Sequence, residues 1–340
     1  MANKRLGLQQ TKGMFQVRGI VTGTSKEKFF ETKQTKTGKS MRKLNFGVET
    51  NKDSTTYITL DGFERENVYF YKRAENKGEK GTTKAVPWAQ RFDFDEEGFN
   101  LIGVRIGLEK TVTEDGREVN DNKTLTEYDA CDDISMSLED GQSVFIKGDI
   151  DYSSFNGEDG LRRMVKFVPN QISLCRNPID FDAEDFEELS DFQQTIVFMD
   201  IVPDKDKDGQ NRGIVQAKII NYNSVEDAEY IVYDNSLYNT FKKNLKPYTA
   251  IKVWGKINNK IEKDEVTETD VWGKENTFDR VRPNFIRELV ITGADPNTID
   301  TEIYTQEIIE NAIAAKKEFG DTDSWGNNSA LDESDNDIWD

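Results

Sequence analysis

Apolar and polar residues alternate over 144–150, where Val144, Ile146 and Ile150 share one face, and again over 251–257, where Ile251, Val253 and Ile257 do. Each run predicts a half-buried strand. Upstream of each lies a trio with helical spacing of three and four: Cys131, Ile134 and Leu138 in one case, Tyr238, Phe241 and Leu245 in the other. Each trio predicts one face of a short helix. Residues 169–172 and 283–286 both begin Pro-Asn, which extends the match downstream with a connecting loop seven residues longer in the second copy. Common order and offset predict a duplicated domain.

The remaining strands follow from the same alternation. The first copy takes strands at 15–21, 41–49 and 56–63, the last continuing toward Tyr71, then a long insertion over about 74–125. The second takes strands at 195–202, 213–222 and 229–233 before its helix at 236–245. Three strands, a helix and a two-strand hairpin are the order of the OB-fold, a small barrel whose face and loops bind oligonucleotides. The fold class expected is therefore mainly β: two tandem OB-fold barrels of five strands and one helix each, residues 1–180 and 181–300. An acidic linker over 180–191 joins them. An amphipathic helix over 301–319, with Ile303, Ile308, Ile309, Ala312, Ile313 and Phe319, packs on the second barrel or on a partner, and a disordered acidic tail follows over 320–340.

Composition narrows the chemistry. The 340 residues suffice for two domains, and 35% apolar with 11% aromatic residues can fill their cores. No stretch approaches the roughly 20 apolar residues that cross a bilayer, and the first ten residues lack an apolar signal core, so a cytoplasmic protein without membrane contact is expected. There is no histidine, which removes Ser-His-Asp and Cys-His nucleophiles and histidine-held metals. Cys131 and Cys175 have no zinc-ligand spacing and read as buried thiols. No catalytic residue, cofactor or metal is expected. A magnesium-dependent nuclease built on Asp93, Asp95, Glu96 and Glu97 is the remaining catalytic option, although that stretch reads as a solvated strand end. Gly38-Lys39-Ser40 lacks the leading glycine and following helix of a phosphate loop, and Asp204-Asp206-Asp208-Gly209 lacks the closing glutamate of a calcium loop.

Charge is distributed unevenly. Residues 1–91 carry 19 Lys and Arg against 9 Asp and Glu, whereas 321–340 carry seven acids and no base, in a chain of net charge −19. The sharpest basic element is 33–43, with Lys33, Lys36, Lys39, Arg42 and Lys43 around a Thr37-Gly38 turn. It falls between the first two barrel strands, where this fold reaches over a bound strand. Lys28, Phe29 and Phe30 precede it, and Tyr57, Tyr69, Tyr71, Lys72, Arg73 and Trp88 follow. Lysines beside exposed aromatics suit phosphate contact and base stacking. Trp254, Trp272 and Lys274 are weaker candidates in the more acidic second copy.

The opening strand Phe15-Gln-Val-Arg-Gly-Ile-Val21, the fourth strand Ser143-Val-Phe-Ile-Lys-Gly-Asp-Ile150, the closing Thr292-Gly293-Ala294 and the acidic tail resemble the single-stranded DNA-binding proteins of bacteria and their phages. The familiar tail ends Ile-Pro-Phe; here Asp335, Asp337, Ile338, Trp339 and Asp340 end the chain. Two barrels and a long insertion depart from the simple bacterial type and point to a phage version. The resemblance implies sequence-tolerant binding of single-stranded DNA in replication or recombination, with the tail recruiting partner proteins. A second reading stays open: an acidic OB-fold adaptor or DNA-mimic inhibitor that binds no nucleic acid.

Overall fold

A computed structural model describes residues 6–35, 38–76, 78–157, 160–262 and 284–318. Its first part contains β1 (Gly13–Thr22), β2 (Phe30–Gln34), β3 (Ser40–Asn51), β4 (Ser54–Phe63), β5 (Asn67–Lys72), β6 (Thr82–Pro87), β7 (Phe99–Leu101), β8 (Val104–Val112), β9 (Glu118–Leu125), α1 (Glu127–Ser137), β10 (Ser143–Gly157) and β11 (Gly160–Leu174). Its second part contains β12 (Leu189–Lys205), β13 (Asn211–Ile220), β14 (Val225–Val232), α2 (Asn235–Asn244), β15 (Thr249–Glu262), β16 (Asn284–Asp300) and α3 (Gln306–Glu318).

Strand pairing closes two rings. In the first, β1 pairs with β3, β3 with β4, β4 with β11 in parallel at Ile58 and Phe167, β11 with β10, and β10 with β1. The second repeats this with β12, β13, β14, β16 and β15, the parallel contact being Ile231 with Val290. Each ring carries its helix between the third and fourth strands, and each is an OB-fold. The helices are capped by their own leads: Thr126 Oγ1 accepts from the Asp129 N–H, and Asp234 Oδ1 accepts from Ser236 and Leu237. Their predicted faces hold, with Cys131, Ile134 and Leu138 buried on one and Phe241 and Leu245 on the other.

Gly148 and Gly255 mark the same bulged position in the two fourth strands. A Cβ on either would overlap a backbone carbonyl, that of Val168 or of Val290, so the fifth strand crosses at a distance only glycine permits. This pairing corrects one expectation. Gly148 faces Pro169 but Gly255 faces Ile291, so 169–172 does not correspond to 283–286. The shared Pro-Asn is a coincidence of composition, and the stretch of sequence from Gly255 to its partner Ile291 is longer than expected.

The barrels are fused. β1 pairs antiparallel with β12, with Phe15 opposite Phe192, Met14 opposite Gln193 and Gln16 opposite Asp191. Phe15 faces Gly148 and Phe192 faces Gly255, so the two phenylalanines are equivalent positions lying on a local two-fold axis. One continuous core runs through both rings, with Phe192 stacked on Tyr230 at 5.8 Å and the Tyr152 and Tyr230 hydroxyls bonded at 2.8 Å inside it. α3 and the turn before it cover the second barrel: Tyr304 and Ile309 are buried with Val197, Ile220 and Ala250, and the Tyr304 hydroxyl donates to the Gln9 carbonyl, whereas Ile303 and Ile308, expected on the packed face, are exposed.

Between β4 and α1 the first copy carries two additions. β5, β6 and β7 form a separate three-stranded sheet around Val68, Phe70 and Val86, and β8 and β9 form a hairpin whose first strand adds in parallel to β11. Tyr69 and Tyr71 therefore lie on a new strand rather than on a continuation of β4. The exposed Glu64-Arg65-Glu66 stretch breaks the alternation between them.

Candidate nucleic-acid interface

The basic segment is a folded hairpin. β2 turns back on β3 through Thr35 and Lys39, where the Thr35 N–H donates to the Lys39 carbonyl at 2.8 Å and the Lys39 N–H to the Thr35 hydroxyl at 3.0 Å. Gly38 sits in that turn at φ 78°, the left-handed region that suits glycine. Lys33 is exposed and pairs with Glu31 at 3.2 Å, and Lys39 is half-buried at the tip. Several neighbours serve the fold instead. Phe29 is buried edge-on against Phe46 at 6.5 Å, and Phe30 packs on the same core. Lys43 is 5% exposed, stands opposite Glu31 and Asp61, and has an interaction within the protein, as does the half-buried Lys28. β2 and β4 flank Lys43 on both sides, which buries it despite its place in the basic segment. Tyr57 is half-buried beneath the Arg287 guanidinium at 5.7 Å, and burial pushes its hydroxyl pKa up.

Arg42 and Trp88 are brought together by Tyr128 on α1, a residue with no local signal to single it out. The Arg42 guanidinium lies 4.1 Å from the Tyr128 ring centre, and Trp88 meets the same ring edge-on at 5.8 Å. Arg91 stacks on Trp88 at 4.2 Å and on Phe92 at 4.3 Å. Asp129 grips Arg91 through Nε at 2.7 Å and Nη2 at 3.0 Å, and this hydrogen bond chiefly holds the guanidinium pKa above its ordinary value. The ladder fastens the added sheet to α1.

That sheet presents an open face. Val68 and Phe70 point into its small core, which leaves Tyr69 and Tyr71 on the outside, 47% and 41% exposed. Below Tyr69 lies a cleft lined by Arg65, Asn67, Thr83, Trp88 and Ile102. Arg65 and Arg73 are exposed and make no ion pair among the described residues. Lys72 points inward, donating to the Glu97 carbonyl at 3.2 Å over the Phe99 ring. Flat aromatic faces beside unpaired arginines are suited to unstacked bases and their phosphates.

The other candidates resolve simply. Asp206 N–H donates to the Gln210 carbonyl in the β12–β13 turn and Arg212 takes Asp204 at 2.7 Å, a polar hairpin tip. Glu96 pairs with Lys84. Cys131 is fully buried, with Sγ 3.4 Å from the Leu60 carbonyl, and burial pushes its thiol far up; Cys175 is half-buried and also free. Among the described residues no group of three or more acids and cysteines is arranged to hold a metal, and no helix is long and apolar enough to cross a membrane. Lys36, Trp272, Lys274 and the tail residues Asp335, Asp337, Ile338, Trp339 and Asp340 lie outside the described residues.

No curated protein sequence matches this chain. Among solved structures it is similar to the wild-type single-stranded DNA binding protein from Thermus aquaticus, at 13% identity and TM-score 0.39, covering 84% of this chain and 93% of that one. A deletion mutant of the same protein gives 11% identity and TM-score 0.40, covering 84% and 94%. The YorF family model matches residues 73–325, three quarters of the sequence including the added sheet from Arg73 onward and the second barrel, and the chain belongs to the YorF family.

Proposed function

We propose that the protein binds single-stranded DNA without sequence preference, as a non-enzymatic component of phage DNA replication or recombination in the host cytoplasm. The observation that supports this best is the open face of the added sheet. Tyr69 and Tyr71 stand two residues apart on β5, a separation of about 6.8 Å, which lets each ring take one of two successive unstacked bases. Trp88 and Arg65 extend the surface into the cleft. Arg73 beside the tyrosines, and Lys33 and Lys39 on the neighbouring hairpin, meet phosphates. Release of their counterions gives affinity that ignores sequence and falls with salt. The acidic tail is repelled by the same strand and recruits replication or recombination proteins through Ile338 and Trp339.

The test is fluorescence anisotropy of labelled oligo-dT titrated with protein over a series of salt concentrations, beside a duplex of equal length. Preferential single-strand binding with log affinity falling linearly in log salt is expected. No binding at low salt, by full-length and tail-deleted protein alike, overturns the proposal and favours an acidic adaptor, a reading to which the net charge of −19 lends weight.

A further inference from the structure

Trp254 occupies the outer face of the surface where the barrels join. In register, Met14, Gln193 and Trp254 form one row across β1, β12 and β15. Ile251, Val253 and Ile257 take the core side of β15, so Lys252 and Lys256 flank Trp254 on the outer side. Lys12 lies beside Thr195, whose other neighbour is Lys252, and Lys147 stands opposite Gln16. The acids of this face include Asp149, Asp191 and Asp295; Asp191 is bonded to Lys256 at 2.6 Å, and Asp295 stands opposite Lys252. Lys12, Lys147 and Lys252 make no ion pair among the described residues.

The ring is held close against β16. A Cβ built on Gly293 would sit 2.5 Å from Trp254 Nε1, 2.7 Å from Cε2 and 2.8 Å from Cζ2. These three atoms are neighbours along one side of the indole, so that side packs against Gly293 at a distance only glycine permits. Trp254 is nonetheless 42% exposed.

Resting on the single-strand reading, we propose that Trp254 is a base-stacking platform. The lysine-bearing sheet around it is then a second contact surface for single-stranded polynucleotide, apart from the added sheet. A second copy of the chain fits less well. Lysines would meet lysines, and Met14 and Trp254 supply too little apolar area for a stable dimer. A polyanion with planar bases matches both the charge and the exposed ring.

The experiment incorporates fluorotryptophan into the full chain, assigns the Trp254 signal with Trp254→Phe, and follows fluorine NMR and anisotropy together during titration with oligo-dT. The Trp254 signal should shift in step with binding. Trp254→Ala should weaken affinity by about tenfold. Gly293→Ala, whose methyl displaces the Trp254 ring, should weaken it in the same direction, with melting temperatures as the folding control. If oligo-dT binds but the signal is stationary and Trp254→Ala binds normally, the strand bypasses this face; the inference falls and the proposed function stands. Absence of any binding defeats both. A shift that tracks protein concentration without DNA makes the face an interface between copies and also overturns the inference.

Discussion

Replacing Tyr69 and Tyr71 together by alanine separates stability from binding. Both rings stand off the outer face of β5, 47% and 41% exposed, while Val68 and Phe70 anchor the strand at 4% and 5% exposed. Folding loses little more than strand propensity, within about 1 kcal/mol per site. Stacking contributes about 1–3 kcal/mol per base, so losing both platforms removes at least about 2 kcal/mol, near 30-fold in Kd. Anisotropy of oligo-dT at fixed salt measures this, with thermal melting as the control. Tyr→Phe at both positions keeps the aromatic faces and should bind nearly as the parent does. Affinity of the alanine variant within about threefold of the parent, at unchanged melting temperature, refutes the role given to this face.

Three further outcomes test the fold. Gly255→Ala drives a methyl into the Val290 carbonyl and should cost about 1–3 kcal/mol or more in urea unfolding; an unchanged midpoint contradicts the bulged crossing. Phe192→Ala removes a ring stacked on Tyr230 at the inter-barrel axis and should cost about 3–5 kcal/mol, with calorimetry still giving one transition; two separated transitions contradict a shared core. Burial raises the Asp151 pKa above the usual carboxylate value, against the opposing pull of Lys166. Its folded pKa being the higher one, the ionised carboxylate opposes folding at neutral pH, and that opposition disappears as pH falls through the folded pKa. Asp151→Asn should therefore raise stability near neutral pH and shrink the gain on acidification; destabilisation at neutral pH contradicts it.

The repeat was legible because alternating strands and three-and-four helix spacing are local signals, and Val144, Ile146, Val253 and Ile257 sit where that alternation puts them. The fifth-strand correspondence was not, since it depends on which residue crosses Gly148 or Gly255, and Pro-Asn offered a false anchor. Partner choice between distant strands carries no local signal. The Phe15–Phe192 pairing and the shared core were therefore hidden, although each strand was predicted. Among candidate residues, Tyr69, Tyr71 and Arg73 are exposed as expected. Phe29 and Lys43 are buried because β2, an additional strand within the first loop, folds onto β3. Tyr128 escaped notice because its place between Arg42 and Trp88 depends on where α1 packs. The fit of Trp254 on Gly293 depends likewise on register between β15 and β16.

The most direct measurement is ultraviolet crosslinking of the full-length protein to oligo-dT, followed by mass-spectrometric mapping of the modified peptides. Crosslinks are expected at Tyr69, Tyr71 or Trp88, and unlabelled single strand should abolish them while duplex does not. Crosslinks confined to other parts of the chain, or none under conditions where oligo-dT is bound, would contradict this placement of the strand.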